Sequence, residues 1–315
     1  LSILIMLLHS KILGESSTEV LILHGFLGSG DNWLSVAREL CKKNIKVHLI
    51  DQRNHGRSFH TESFNYDDMC NDLLYYIKHY KITKAVLLGH SMGGKTAMLF
   101  CLKYPELISK VFIMDIAPKY YPNHNQHIID ALKKIDLEKF NQRKEIEKVL
   151  SISITMPEIR GFIMKSIFRK SNNKFGIRFN LQALSENVEI VGKEISSSNK
   201  FLKRVFFFKG EKSSYINLSD HKLIYSFFPN AEVIEIKNAG HWLHRDNMFD
   251  DYELTFKINT DTVESFSEYI ISVNDNILIV KSLDDNLDKS FSFKNLTTKN
   301  SDHNLPFELT INDVN

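Results

Sequence analysis

Residues 89–96, GHSMGGKT, satisfy two motif definitions at once. As G-x-S-x-G the string is a nucleophile elbow, with Ser91 exposed on a sharp strand-to-helix turn. As G-x-x-x-x-G-K-T it is a phosphate-cradling loop in which Lys95 and Thr96 serve a nucleotide. The apolar run VFIMD, ending at Asp115, gives the second reading its other half, because a strand closed by Asp is how such enzymes hold Mg²⁺. Against it, three β-α-type units precede the loop and no base-recognition segment follows. Gly93 and Gly94 also serve the elbow or close packing, which leaves only Lys95 and Thr96 as extra coincidence.

Outward from the elbow, short apolar runs alternate with amphipathic stretches, the rhythm of a mostly parallel sheet covered by helices. Strands are expected at Glu19–Leu23, Lys46–Ile50, Ala85–Leu88 and Val111–Met114, then at Arg204–Phe208 and Glu232–Ile236. Continuous apolar runs of this kind suit strands buried on both faces. Helices are expected over Trp33–Lys43, capped by Asp31, over Asp68–Tyr80, capped by Asp67, and over Met92–Tyr104, stopping before Pro105.

The fold class is therefore α/β, with the sheet core in two parts, residues 1–118 and 201–273. Between them, residues 119–200 read as an inserted helical cap without strands, carrying HIIDALKKIDLEKF and RGFIMKSIF. A helix near Thr262–Ser272 would close the fold. Residues 274–315 form a polar C-terminal extension to which no chemistry is assigned.

At 315 residues, 43% hydrophobic and 25% charged, the chain can bury a sizeable core. A formal net charge of +2 gives no reason to expect a nucleic acid or a membrane surface as partner. The three cysteines, Cys41, Cys70 and Cys101, are odd in number and lie in helical stretches, which suits free thiols in a reducing compartment, cytoplasmic or mitochondrial. The run LSILIMLL at Leu1–Leu8 falls short of the roughly 20 residues that cross a bilayer, so no transmembrane segment is expected. It reads as a first strand, or else as the apolar remnant of an upstream leader, since the sequence opens without Met.

Two further segments favour the elbow. HGFLGSGDNW follows the strand at Glu19–Leu23, where an oxyanion-hole loop belongs, and NAGHWLH places His241 on a loop after the last core strand. The order Ser91, Asp115, His241 is the nucleophile, acid, base order of such a sheet. A serine hydroxyl is a weak nucleophile until an imidazole takes its proton, and a carboxylate must fix that imidazole's tautomer. The expected oxyanion donors are the backbone N–H groups of Phe26 and Met92. This chemistry needs no cofactor and no metal; its partner is a small acyl ester or thioester.

On HGFLGSGDNW, DQRNHGRS (51–58), GHSMGGK, MDIAP (114–118), FNLQAL (179–184) and NAGHWLH, the chain resembles the α/β-hydrolase superfamily, and within it the YbfF-type and abhydrolase-domain serine esterases. The resemblance spans about Leu8 to Asp246. It implies a cofactor-independent hydrolase of carboxylic esters or acyl thioesters, and it makes Lys95 a helix-side residue rather than a phosphate ligand. It also bears on the acid. Many members carry that carboxylate just after the penultimate strand, where FFFKGEKSSY has Ser213. Asp115 is the alternative place known in the superfamily, with Glu211 and the cap acids Glu186 and Glu189 as competitors.

Other polar residues carry plainer readings. Asp51, Arg53 and His55 suit a turn that binds local backbone, and His24 a positioning role. His241 with His244 lacks the further ligands that would complete a metal set. His124 and His127 suit a solvated cap face, and Trp33 and Trp242 suit packing. A hydrolase fold whose triad has decayed into a binding module remains the rival to an enzyme.

Overall fold

Side chains that alternate along a strand fill two separate cores here. In β2 (Glu19–Leu23) Leu21 and Leu23 enter the core on one face of the sheet, while Val20 and Ile22 enter the core on the other. The computed structural model describes residues 6–243 and, beyond them, the backbone of three strands at 252–259, 266–274 and 277–284.

Among the described residues the order is β1 (Ser10–Leu13), β2, α1 (Leu34–Lys42), β3 (Lys46–Ile50), α2 (Tyr66–His79), β4 (Ala85–His90), α3 (Met92–Lys103) and β5 (Ile108–Met114). An insertion follows, comprising α4 (Gln126–Lys134), α5 (Arg143–Ser153), α6 (Pro157–Ser166), β6 (Ile167–Arg169), β7 (Phe175–Ile177), α7 (Leu181–Glu186) and α8 (Val188–Gly192). The sheet resumes with β8 (Val205–Gly210), α9 (His221–Phe227) and β9 (Ala231–Ile236). Its seven strands run in the order β1-β3-β2-β4-β5-β8-β9, all parallel except β1, which pairs antiparallel with β3.

Helices cover both faces of this sheet. Helix α1 sets Val36, Ala37 and Leu40 with Trp33 on one face, over Phe112, Phe206 and Phe208; α2, α3 and the insertion cover the other. Cys41, Cys70 and Cys101 are free thiols on α1, α2 and α3.

Several expectations are displaced. Among the described residues the first strand is Ser10–Leu13; Met6–Leu8 of the run Leu1–Leu8 precede it without regular structure, and Leu1–Ile5 lie outside the described residues. Asn65 caps α2, its side chain accepting from the Asp68 N–H at 2.8 Å, so Asp67 stands inside the first turn. Asp31 likewise sits within a short 3₁₀ turn, Gly30–Trp33, that Ser29 opens ahead of α1. The insertion is not wholly helical: β6 and β7 form a small antiparallel hairpin. Where a closing helix was expected around Thr262–Ser272, β11 (Phe266–Asn274) pairs antiparallel with β10 (Tyr252–Asn259) and β12 (Ile277–Asp284). The sequence YIISV at 269–273 is rich in β-branched and aromatic residues, which favour strand over helix. Apart from Asn274, which ends β11, and β12, the polar extension expected from residue 274 lies outside the described residues, as does His244.

The elbow demands the closest packing. A Cβ on Gly93 would lie 2.6 Å from the His24 carbonyl oxygen and nearer still to that of Leu23, and one on Gly89 would meet the Gly93 carbonyl. Gly93→Ala should therefore cost about 1–3 kcal/mol or more, as overpacking against backbone does, and lower the thermal midpoint. An unchanged midpoint would show that α3 can move off β2 freely.

Candidate active site

Ser91 holds φ 51° and ψ −115°, a conformation costly for a residue with a Cβ, between β4 and α3. Two backbone bonds over-determine it: the Ser91 N–H donates to the Met114 carbonyl at 3.1 Å, and the Lys95 N–H donates to the Ser91 carbonyl at 3.1 Å. Met92 opens α3, so its N–H belongs to the first turn, which has no intrahelical acceptor.

Across from it, Phe26 lies on the loop after β2, held by two buried imidazoles. His24 donates from Nδ1 to the Gly25 carbonyl (2.8 Å) and accepts the Gln52 N–H on Nε2 (3.0 Å). His55 donates from Nδ1 to the Arg53 carbonyl (2.9 Å) and accepts the Leu27 N–H on Nε2 (3.1 Å). The DQRNHGRS segment thus reaches beyond its own turn. Asp51 accepts from the N–H groups of Gly30 (2.7 Å) and Arg57 (2.8 Å), and Arg53 pairs with Asp72 (2.6 Å) and Asp68 (2.8 Å) on α2.

Each of these two histidines uses both ring nitrogens in one neutral tautomer. Burial lowers both pKa values below the ordinary 6.5; the Asp51 carboxylate opposes this at His24, while the neighbouring His24 adds to it at His55. The unfolded chain takes up protons at these positions as pH falls through about 6.5, and the fold does so only at lower pH. Stability should therefore decline below about pH 6.5 by up to about 1.4 kcal/mol per pH unit for each such histidine. Urea midpoints at pH 7.5 and 5.5 check this; equal midpoints would mean that neither imidazole is held neutral.

Asp115 and His241 meet behind the elbow. Asp115 is fully buried at the end of β5, with φ 50°, and its N–H donates to the Phe208 carbonyl at 2.7 Å. Its Oδ2 accepts from His241 Nδ1 at 2.8 Å and from the Ser213 hydroxyl, and its Oδ1 accepts the Gly210 N–H at 3.1 Å. Donation from Nδ1 leaves His241 Nε2 as the basic nitrogen. His90, next to Ser91, approaches the His241 carbonyl with its Nε2 at 2.9 Å, tying the histidine's loop to the elbow. The Tyr215 ring stacks on the His241 imidazole at 3.8 Å and 16°.

The competing acids stand elsewhere. Glu211 is exposed, accepts the Asn238 N–H at 2.8 Å and pairs with Lys237. Glu186 and Glu189 are exposed on the insertion, bonded by Gln182 and Asn123. Sequence reading passed over His90, Ser213 as a partner of the acid, and Tyr215. Of these only Ser213 carried a signal, since it occupies the place where many members of the resembled superfamily carry their acid.

The insertion roofs this ground. Ser166 on α6 donates to the Leu27 carbonyl (3.0 Å), the Phe162 ring lies 4.3 Å from that of Trp242, and the Asn180 N–H of FNLQAL donates to the Asn54 carbonyl (2.9 Å). His124 and His127 are exposed on it. Lys95 and Thr96 face protein: the Lys95 ammonium is buried against main-chain carbonyls, and the Thr96 hydroxyl donates to Gln52 Oε1 at 2.9 Å. Neither is presented to a phosphate. Among the described residues, no group of three or more His, Cys, Asp or Glu side chains is placed to hold a metal, and no helix is long and apolar enough to cross a membrane.

Comparison with known proteins gives the chain its family. Residues 19–148 match the family model described as the alpha/beta hydrolase fold. The chain is 34% identical over 241 residues to the sn-1-specific diacylglycerol lipase ABHD11 of Danio rerio, covering 74% of this chain and 76% of that one. It is 29% identical over 260 residues to ethanol acetyltransferase 1 of Kluyveromyces lactis, covering 74% and 70%. A marine microorganism esterase of known structure superposes with a TM-score of 0.74 at 41% identity, covering 76% of this chain and 94% of its own. The chain belongs to the α/β-hydrolase family and stands among its esterase and lipase relatives.

Proposed function

We propose that the protein hydrolyses carboxylic esters or acyl thioesters through an acyl-enzyme on Ser91. The observation that carries this reading is the buried Asp115 carboxylate 2.8 Å from His241 Nδ1, directly behind a strained serine elbow. His241 Nε2 takes the Ser91 proton as Oγ attacks the acyl carbon, then gives it to the leaving alkoxide or thiolate. Asp115 steadies the imidazolium, with Ser213 and the Gly210 N–H spreading its charge. The N–H groups of Phe26 and Met92 receive the oxyanion, each donor lowering the barrier by about 3 kcal/mol. Water, activated by His241, releases the acid.

The esterase and lipase relatives support the ester class, and the acetyltransferase among them supports an acyl intermediate that an alcohol can also intercept. We assign acyl-chain selectivity to the cap, because Phe162 and its neighbours on α6 stand over the loops that carry Phe26 and His241. The alternative, a silent binding module, is disfavoured by the intact set of Ser91, His241 and Asp115.

A fluorophosphonate probe tests the reading directly, alongside hydrolysis of p-nitrophenyl esters and acyl-CoAs of rising chain length. Labelling that is lost in Ser91→Ala, with turnover of one of the two series, is expected. A folded wild type that takes no label and hydrolyses neither series would overturn it.

A further inference from the structure

The lysine of GHSMGGKT finds its role at the root of the insertion. The polypeptide enters the insertion at Pro118–Tyr121 and leaves it at Gly192–Ile195, and these two segments are bonded to each other: the Tyr121 N–H donates to the Gly192 carbonyl and the Ile195 N–H to the Pro118 carbonyl, both at 2.8 Å. Lys95, one turn beyond Ser91 on α3, sends its Nζ into this neck. It donates to the carbonyls of Lys119 and Gly192, each at 2.9 Å, and to that of Lys193. Three donors meet three acceptors, the full complement of an ammonium group.

The neck in turn reaches the catalytic loops. Lys95 Nζ lies 4.8 Å from the centre of the Tyr121 ring, and Lys119 Nζ lies 5.1 Å from it while pairing with Asp220 at 2.6 Å. The Tyr121 hydroxyl accepts the Ala117 N–H at 2.8 Å, two residues past Asp115, and donates to the Tyr215 carbonyl at 2.6 Å. Tyr215 is the residue stacked on His241. A single side chain from the nucleophile's helix therefore holds both ends of the cap, and through Tyr121 the cap is in register with the acid and base loops.

We infer that Lys95 is a positioning residue that clasps the neck of the cap, fixing the cap's seat over Ser91 and with it the length of acyl chain the site accepts. Lys95 touches no reacting atom. Its position costs desolvation: burial draws its pKa down to about 7, with the Glu194 carboxylate opposing. A buried ammonium is tolerated only where its acceptors are as complete as these. Removing it takes a donor from each of the three neck carbonyls, leaving Gly192 with the Tyr121 N–H alone and the Lys119 and Lys193 carbonyls to find water, which loosens the join between entry and exit.

The selectivity part of this inference rests on the ester-hydrolase reading; the clasp itself does not. Two readouts separate them. In the wild type, hydrogen exchange at the Tyr121 and Ile195 amides should be as slow as in β5, and in Lys95→Met it should rise about tenfold or more at 119–121 and 190–195, the scale of one or two lost charge-assisted bonds. Exchange at these amides that is already fast in the wild type, or slow in both, overturns the clasp without any turnover being measured. In the ester series, Lys95→Met should cut the ratio of kcat/KM for the preferred chain to that for acetate about tenfold, with kcat on acetate held within about threefold. A uniform fall across chain lengths, as a merely structural lysine gives, or an unchanged ratio, overturns the selectivity role. Lys95→Gln, which keeps two of the three donors, should fall between wild type and Lys95→Met in both readouts and serves if the methionine variant does not fold.

Discussion

Ser91→Ala is expected to lower kcat on a p-nitrophenyl ester by about 10⁶-fold while KM moves little, the scale seen when an acyl-transfer nucleophile is removed and its supporting groups remain. The residue should not fall to the uncatalysed rate. Backbone donors and substrate binding survive the substitution, and such remnants sustain about 10³–10⁴-fold over water. The loss can be read as chemistry because the fold does not depend on the hydroxyl. The Ser91 side chain makes no capping bond to α3, and its strained φ of 51° is held by backbone bonds to Met114 and Lys95 that alanine keeps. Thermal midpoints of variant and wild type should therefore coincide. Activity within a factor of about ten of wild type would remove Ser91 from the reaction.

Asp115→Asn should lower kcat by about 10⁴-fold, since the imidazole tautomer depends on this group. The reason lies in the three donors around the carboxylate. Oδ2 accepts from His241 and Ser213, and Oδ1 accepts from the Gly210 N–H. An asparagine that keeps its oxygen toward His241 turns its own N–H₂ against the Gly210 N–H. Flipped, it faces His241 with a donor, drives the proton onto Nε2 and leaves Ser91 without a base. Either arrangement leaves one contact repulsive, so a stability loss should accompany the loss of rate. Glu211→Gln, in contrast, alters an exposed group that holds Asn238 and Lys237 and should leave turnover near wild type. A collapse in Glu211→Gln with turnover retained in Asp115→Asn would move the acid to the loop after β8.

The parts of the fold that could be read in advance are those where one local rule acts alone. EVLIL, KVHLI and VFIM are buried on both faces past their first residues, so apolar side chains run on with only Glu19, Lys46 and His48 between them, and the strands announce themselves. The elbow is legible for a steric reason: only glycine fits at 93, where Leu23 and His24 press their carbonyls against α3, and at 89, which faces the Gly93 carbonyl. Helix starts were less legible because several capping residues compete within two positions, and Asn65 wins over Asp67 by lying just outside the first turn. The hairpin IFR–FGI is three residues a strand, too short for a period to show. Ser213 and Tyr215 reach Asp115 and His241 only through tertiary folding, with 98 residues separating Ser213 from the carboxylate it donates to. No local pattern encodes that meeting.

The paired entry and exit of the insertion also bear on how such a chain changes over evolutionary time. Because Ile195 N–H and Pro118 carbonyl lie 2.8 Å apart, the sheet sees some seventy-odd residues as one closed turn between β5 and β8. The entropy of closing a loop grows only logarithmically with its length. The excursion beyond the neck can therefore lengthen, shorten or be replaced wholesale at small cost to the sheet, provided the joint itself is kept. Residues 118 and 195 are the natural seam for grafting a foreign lid onto this hydrolase, and for lineages that exchange one substrate for another.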